Sequence, residues 1–136
     1  MEQSKLEKMK KYAPVVVRVG ISLVVLWFGT QQVLDTEAWT RLIPEWVTSL
    51  TGLSAATLVY INGIFELVFG TLLLLGLFTR VVAGLLALHL IHITLTVGYN
   101  GIGVRDFGLT MAAISVFLGG VDACCLDRYL SKPKFN

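Results

Sequence analysis

The sequence predicts an all-α integral membrane four-helix bundle with both termini in the cytoplasm and an amphipathic, interfacial segment between helices 1 and 2. Three observations carry that expectation. Hydrophobic residues make up 55% of the 136-residue chain and charged residues only 15%. The mean hydropathy is +0.75. The charges fall between long apolar stretches rather than along them. A water-soluble domain of this length builds no core large enough to absorb so much apolar surface.

A helix rises about 1.5 Å per residue, so roughly 20 apolar residues cross hydrocarbon about 30 Å thick. Four segments of a single domain, 1–136, approach that length. The first, 15–34, carries only Arg18; the second, 57–78, carries only Glu66; the third, 81–99, has no formal charge. The fourth, 107–123, is charge-free between Asp106 and Asp122 and is short, so it reaches across by continuing toward Leu126 or by local bilayer thinning. The basic start followed by an apolar run resembles a signal peptide. That run is longer than a typical signal core and three more spans follow, so it reads as a retained helix.

Orientation follows from lysine and arginine in the short connections, because cytoplasmic loops hold the excess. Lys5, Lys8, Lys10, Lys11, Arg18, Arg80, Arg128, Lys132 and Lys134 fall on one side of a four-span topology, and Arg41 and Arg105 on the other. The expected location is the cytoplasmic (inner) membrane. In the connection 36–52, Trp39, Leu42, Ile43, Trp46, Val47 and Leu50 recur at helical spacing, with Thr40, Arg41, Glu45, Thr48 and Ser49 on the other face. Pro44 splits the segment into two short helices. It reads either as a helix pair in the outer interface, where tryptophan is at home, or as a lid packed on the helix ends.

In lipid, packing faces are small or polar, since apolar side chains gain nothing by leaving the tails. Such stripes run Arg18, Ser22, Val25, Gly29, Gln32 on the first span and Asn62, Gly63, Glu66, Gly70 on the second. On the third they run Leu85, His89, His92, Thr96, Tyr99, and on the fourth Arg105, Gly108, Ala112, Ser115, Gly119. Counted from Thr79 in the tight second turn, Glu66 is thirteen residues back and His92 thirteen residues on, so the two are expected level and in contact. The candidate pocket is therefore Glu66, His92, His89, Asn62, Arg105 and Gln32. An ionised carboxylate at that depth needs a partner or a proton. Such a layer serves either function or helix register, and His89 fits the second role as well as the first.

Asp106 is expected to cap the start of the fourth helix and Arg105 to turn into the bundle or anchor at the interface. The two histidines lie on one helix, so one chain cannot build a transmembrane bis-histidine haem site. A di-iron site needs several glutamates where the spans hold one. A site made from His89, His92 and Glu66 is geometrically conceivable, but no metal is expected. Cys124 and Cys125 are adjacent, the wrong spacing for a zinc or redox pair, and read as small apolar residues. No nucleotide loop or nucleophile motif is present, and the spread of basic residues excludes a nucleic-acid patch.

With these stripes laid out, the chain resembles the DoxX family of small four-helix membrane proteins. The carrying stretches are RVGISLVVLWFGTQQVLD in the first helix, AWTRLIPEWV in the connection, NGIFELVFGTLLLLGLFTR in the second helix, VRDFGL opening the fourth, and the terminal LD. The sequence departs from the family pattern at Gln32, where a lysine is common. The resemblance implies a four-helix bundle and membrane redox metabolism, through a likeness to the DoxD subunit of a thiosulfate:quinone oxidoreductase.

The expected function is a small membrane subunit whose polar interior binds quinone or a similar molecule, with no covalently bound cofactor. Such a chain is at most a non-catalytic or quinone-interacting subunit of an oxidoreductase, embedded in lipid beside a protein partner or further copies of itself. The rivals are a small-solute or proton transporter and an assembly subunit of a larger membrane complex.

Overall fold

The computed structural model describes residues 2–131, which form helices and turns with no strand among them. Four helices are long and apolar enough to cross a membrane: α1 (Glu2–Leu34), α4 (Ala55–Leu75), α5 (Thr79–Val97) and α6 (Gly101–Gly119). The short helices α2 (Thr36–Thr40) and α3 (Glu45–Thr51) connect the first two, and α7 (Leu126–Leu130) follows the last. Large apolar side chains such as Leu23, Trp27, Val68, Leu88, Leu95 and Leu118 point outward from these helices. That surface suits lipid and not water. Lys132 and Lys134 lie outside the described residues.

Each boundary has a local cause. Ser54 caps α4, its hydroxyl accepting from the Thr57 N–H at 3.1 Å. Gly76 ends α4 in the left-handed conformation, where the Leu77 N–H reaches the Leu72 carbonyl and the Gly76 N–H the Leu73 carbonyl, the Schellman pattern. Asn100 caps α6 by accepting from the Ile102 and Gly103 N–H groups at 2.9 and 3.0 Å. The fourth span therefore starts at Gly101 and stops at Gly119, not at 107 and 123, and Asp106 lies inside it rather than at its cap. Gly103 makes this start possible, because any side chain there would collide with the Gly98 carbonyl.

Around the bundle α1 packs along α4 and touches α6, while α5 packs along α6. The α1–α4 contact is close. A methyl group on Gly29 would stand 2.9 Å from the Gly63 carbonyl oxygen, and one on Gly70 about 3.1 Å from Leu26. Small residues let two backbones approach in this way. The α5–α6 contact uses aliphatic side chains instead: Val82, Ala83, Leu86, Ala87 and Leu90 against Ala113 and Val116. Both helices are consequently turned by about one residue from the expected stripes. Leu85 and His92 are exposed on α5, Tyr99 is exposed in the turn beyond its end, Gly108, Ser115 and Gly119 are exposed on α6, and Ala112 is half-buried. These three α6 residues do not pack the bundle. The buried face of α6 is Gly103, Asp106, Thr110, Ala113 and Val116.

The end of the bundle where α1 begins and α7 lies is closed by charge. Arg18 is 1% exposed and donates through Nε to Asp122 Oδ2 at 2.6 Å and through Nη1 to the Leu73 and Leu74 carbonyls at 2.8 and 2.6 Å. Those carbonyls belong to the last turn of α4, where helical N–H donors run out, and Leu73 O accepts from the Gly76 N–H as well. Asp127 then caps α5, its carboxylate accepting from the Phe78 and Thr79 N–H groups and the Thr79 hydroxyl at 2.8, 2.7 and 2.8 Å. Cys125 is fully buried against Gly76, where an added methyl group would lie 2.8 Å from its Sγ.

Removing one partner of a buried ion pair strands the other charge and costs about 3–5 kcal/mol, whereas removing both costs far less. Asp122→Leu is accordingly expected to lower stability sharply in denaturant titration of the detergent-solubilised protein, and Arg18→Met with Asp122→Leu to recover most of the loss. Additive effects would show that the two side chains act independently. For Asp127, burial raises the carboxyl pKa, but the Thr79 and Phe78 donors outweigh it and hold it below the usual range. A depressed folded-state pKa stabilises above the unfolded value of about 3.9 and is lost as pH falls through the folded one. Asp127→Ala is therefore expected to cost about 1 kcal/mol at pH 7, and the gap from wild type to close below pH 4.

Candidate functional site

The polar interior gathers in the half of the bundle away from α7. Glu66, one face of α4 and 4% exposed, accepts from Gln32 Nε2 of α1 at 2.9 Å and from Asn62 Nδ2, one turn earlier on α4, at 3.2 Å. Asn62 Nδ2 also donates to Gln32 Oε1 at 2.6 Å, which closes a ring of three side chains. The Gly29–Gly63 approach brings α1 and α4 near enough for that ring to form. Both glutamate oxygens are thus supplied with donors by neutral amides.

The imidazole beside Glu66 is His89, not His92. His89 Nε2 stands 3.6 Å from Glu66 Oε1, just outside hydrogen-bond reach, and this buried nitrogen has no other partner. Its ring stacks on Phe65, 4.4 Å between centroids. The expected Glu66–His92 contact fails because the turn is centred on Leu77 rather than Thr79. Glu66 sits nine residues before the end of α4 and His89 ten after the start of α5, whereas His92 sits thirteen after it. His92 is exposed on its helix yet borders the cavity described next.

A cavity of about 180 Å³ lies between the four long helices and under α2 and α3. Glu66, Gln32, Asn62, His92 and Arg105 all border it, together with Asp106 and an apolar remainder that includes Val25, Leu90 and Leu109. Trp39, Leu42, Ile43 and Val47 roof it, so the connecting segment forms a lid over the helix ends, while Trp46 and Leu50 point away from it. No residue of α2 or α3 is fully buried. The roof is held by aromatic contacts, Trp39 edge-on to Phe28 at 5.7 Å and the Arg105 guanidinium 4.0 Å over the same Phe28 ring.

Asp106 is 3% exposed and receives Arg105 Nε and Nη2, each at 2.7 Å. Its burial is the feature of this site that the sequence reading missed. The signal was Asn100, an equally good cap six residues earlier, which frees Asp106 to lie within the helix. A guanidinium has five N–H donors. Two are spent on Asp106, and the side chain borders a cavity lined mostly by carbon. Among the described residues no three metal-ligating side chains converge, so the conceivable His89, His92 and Glu66 site is not formed.

A DoxX family profile matches residues 13–99, which include α1 from its fourth turn, the lid, α4, α5 and the Gln32, Asn62, Glu66 and His89 cluster. No curated protein and no solved structure matches the chain. The matched region covers well over half of the sequence, and the chain belongs to the DoxX family.

Proposed function

We propose that the protein is a quinone-interacting membrane subunit of a redox system, with the lidded cavity as its binding site and Glu66 as the group that holds a proton there. The observation that supports this reading is the pairing, within one mostly apolar space, of unused Arg105 donors with a carboxylate. The carbonyl oxygens of a flat ring would accept from Arg105. The hydroxyl of its reduced form would donate to Glu66, whose two amide neighbours hold its oxygens in place. His89 is the titratable side chain nearest Glu66 and the acceptor or donor for its proton. The electrons come from a partner protein in the membrane, and the chain itself positions the ring and manages protons.

The basic groups support an orientation with the chain ends in the cytoplasm. Lys5, Lys8, Lys10 and Lys11 precede the span of α1, while Arg80 at the α4–α5 turn and Arg128 on α7 share the same end of the bundle. The lid then faces outward, where the exposed Trp46 suits the membrane interface. In a chain with Cys124→Ser, a cysteine at Leu53 is expected to react with an impermeant maleimide in intact cells and one at Lys8 only after permeabilisation. The reverse pattern would invert the topology.

Trp39 in the cavity roof reports binding directly. With Trp27→Phe and Trp46→Phe, a short-chain benzoquinone is expected to quench Trp39 fluorescence saturably. Arg105→Gln should weaken that binding about tenfold, the loss of a charge-assisted hydrogen bond of about 1.4 kcal/mol. Linear quenching that is identical in wild type and Arg105→Gln would be simple partitioning into detergent and would end the quinone reading.

A further inference from the structure

A second cavity, about 380 Å³, opens at the basic end of the molecule between α1 and α6. It is separate from the lidded site and has a different chemistry. Lys10 and Pro14 form its α1 wall, Ser115 and Gly119 its α6 wall, and Gly120 and Asp122 its floor. The small residues Ser115 and Gly119, which do not pack the bundle, are here the side of a groove.

Depth identifies what meets this groove. α1 has 33 residues, about 50 Å at 1.5 Å per residue, against hydrocarbon about 30 Å thick. Measured back from Leu34, roughly 20 residues reach Val15, so Lys10 stands about one turn outside the hydrocarbon and Ser115 about one turn inside. The groove therefore runs from headgroup level into the acyl region.

Charge identifies the headgroup. Lys10 stands at the rim, and the Arg80 guanidinium packs on Gly120, where an added methyl group would lie 3.0 Å from Arg80 Nη2. The carboxylate on the floor, Asp122, is already neutralised by Arg18 at 2.6 Å. Lys5, Lys8 and Lys11 add to the field, and with Lys10 they outnumber Glu2 and Glu7 in the same stretch. Pro14 has no N–H to give to the Lys10 carbonyl, which leaves an acceptor at the rim for a headgroup hydroxyl. A groove with a cationic mouth and an apolar, small-residue wall at this depth matches a phosphate with an acyl chain below it.

We infer that the α1–α6 groove is a binding site for one anionic phospholipid, phosphate between Lys10 and Arg80 and one acyl chain along Ser115 and Gly119. The test uses the full chain in nanodiscs of phosphatidylcholine with and without phosphatidylglycerol, read by native mass spectrometry and by thermal unfolding. Wild type is expected to retain one phosphatidylglycerol and to unfold at a higher temperature when that lipid is present. Lys10→Gln and Arg80→Gln should each lower retention about fivefold, the effect of about 1 kcal/mol per basic residue near the surface. Gly119→Leu should abolish retention while leaving the helix content unchanged, since a side chain at Gly119 meets nothing within 4 Å.

Lys5→Gln, outside the groove, should lower retention much less than Lys10→Gln. Three results overturn the site: an equal loss in Lys5→Gln and Lys10→Gln, which marks diffuse surface attraction; stabilisation by inorganic phosphate equal to that by the lipid, which marks a free-anion site; or a stable dimer in nanodiscs with no lipid retained, which marks a protein contact.

Discussion

The buried contact of Arg18 with Asp122 and with two carbonyls at the end of α4 is the constraint on which the bundle depends. A guanidinium one turn inside the membrane boundary is tolerable only when its charge and its donors are met. Asp122 meets the charge and the Leu73 and Leu74 carbonyls meet two of the donors. One side chain thereby fixes where α1, α4 and the segment after α6 stand relative to one another. The turn between α4 and α5 is then pinned from below by Asp127 and Cys125, with Gly76 small enough to admit the cysteine.

From that base the two halves of the molecule are packed by different means. Glycines bring α1 and α4 into backbone contact, and the same closeness lets Gln32 reach Glu66 and Asn62 across the interface. α5 and α6 meet instead through interleaved alanine, leucine and valine side chains. Toward the lid, the cavity occupies the space between the four long helices. Its polar wall is thus a by-product of tight α1–α4 packing, and its cation, Arg105, comes from the opposite pair of helices.

The spans were legible because length and apolarity are properties of a continuous segment. The packing faces of α1 and α4 were legible because glycine at a close approach leaves a periodic mark. The faces of α5 and α6 were not. Both sides of a membrane helix are apolar, so a face packed by Leu86, Ala87 and Leu90 looks like the face that meets lipid, and polarity pointed to His92 instead. The His89 placement turned on the centre of a tight turn, where an offset of two residues moves a side chain by half a helical turn. Arg18 was visible as a charge inside a span. Its counter-ion lies 104 residues away, beyond any periodic signal, though the requirement that an intramembrane cation be paired could have directed attention to Asp122 at the same end.

That separation also sets an order of events in synthesis. Arg18 leaves the ribosome 104 residues ahead of Asp122, an interval of roughly 5–20 s at ordinary elongation rates of about 5–20 residues per second. Throughout it the first helix is in the membrane with a cation whose partner does not yet exist. The position of Arg18 makes the wait bearable, because a long side chain one turn from the boundary extends to the headgroups and stays hydrated. When α6 and the residues just after it arrive the guanidinium is drawn inward, and Asp122 locks the first helix in register.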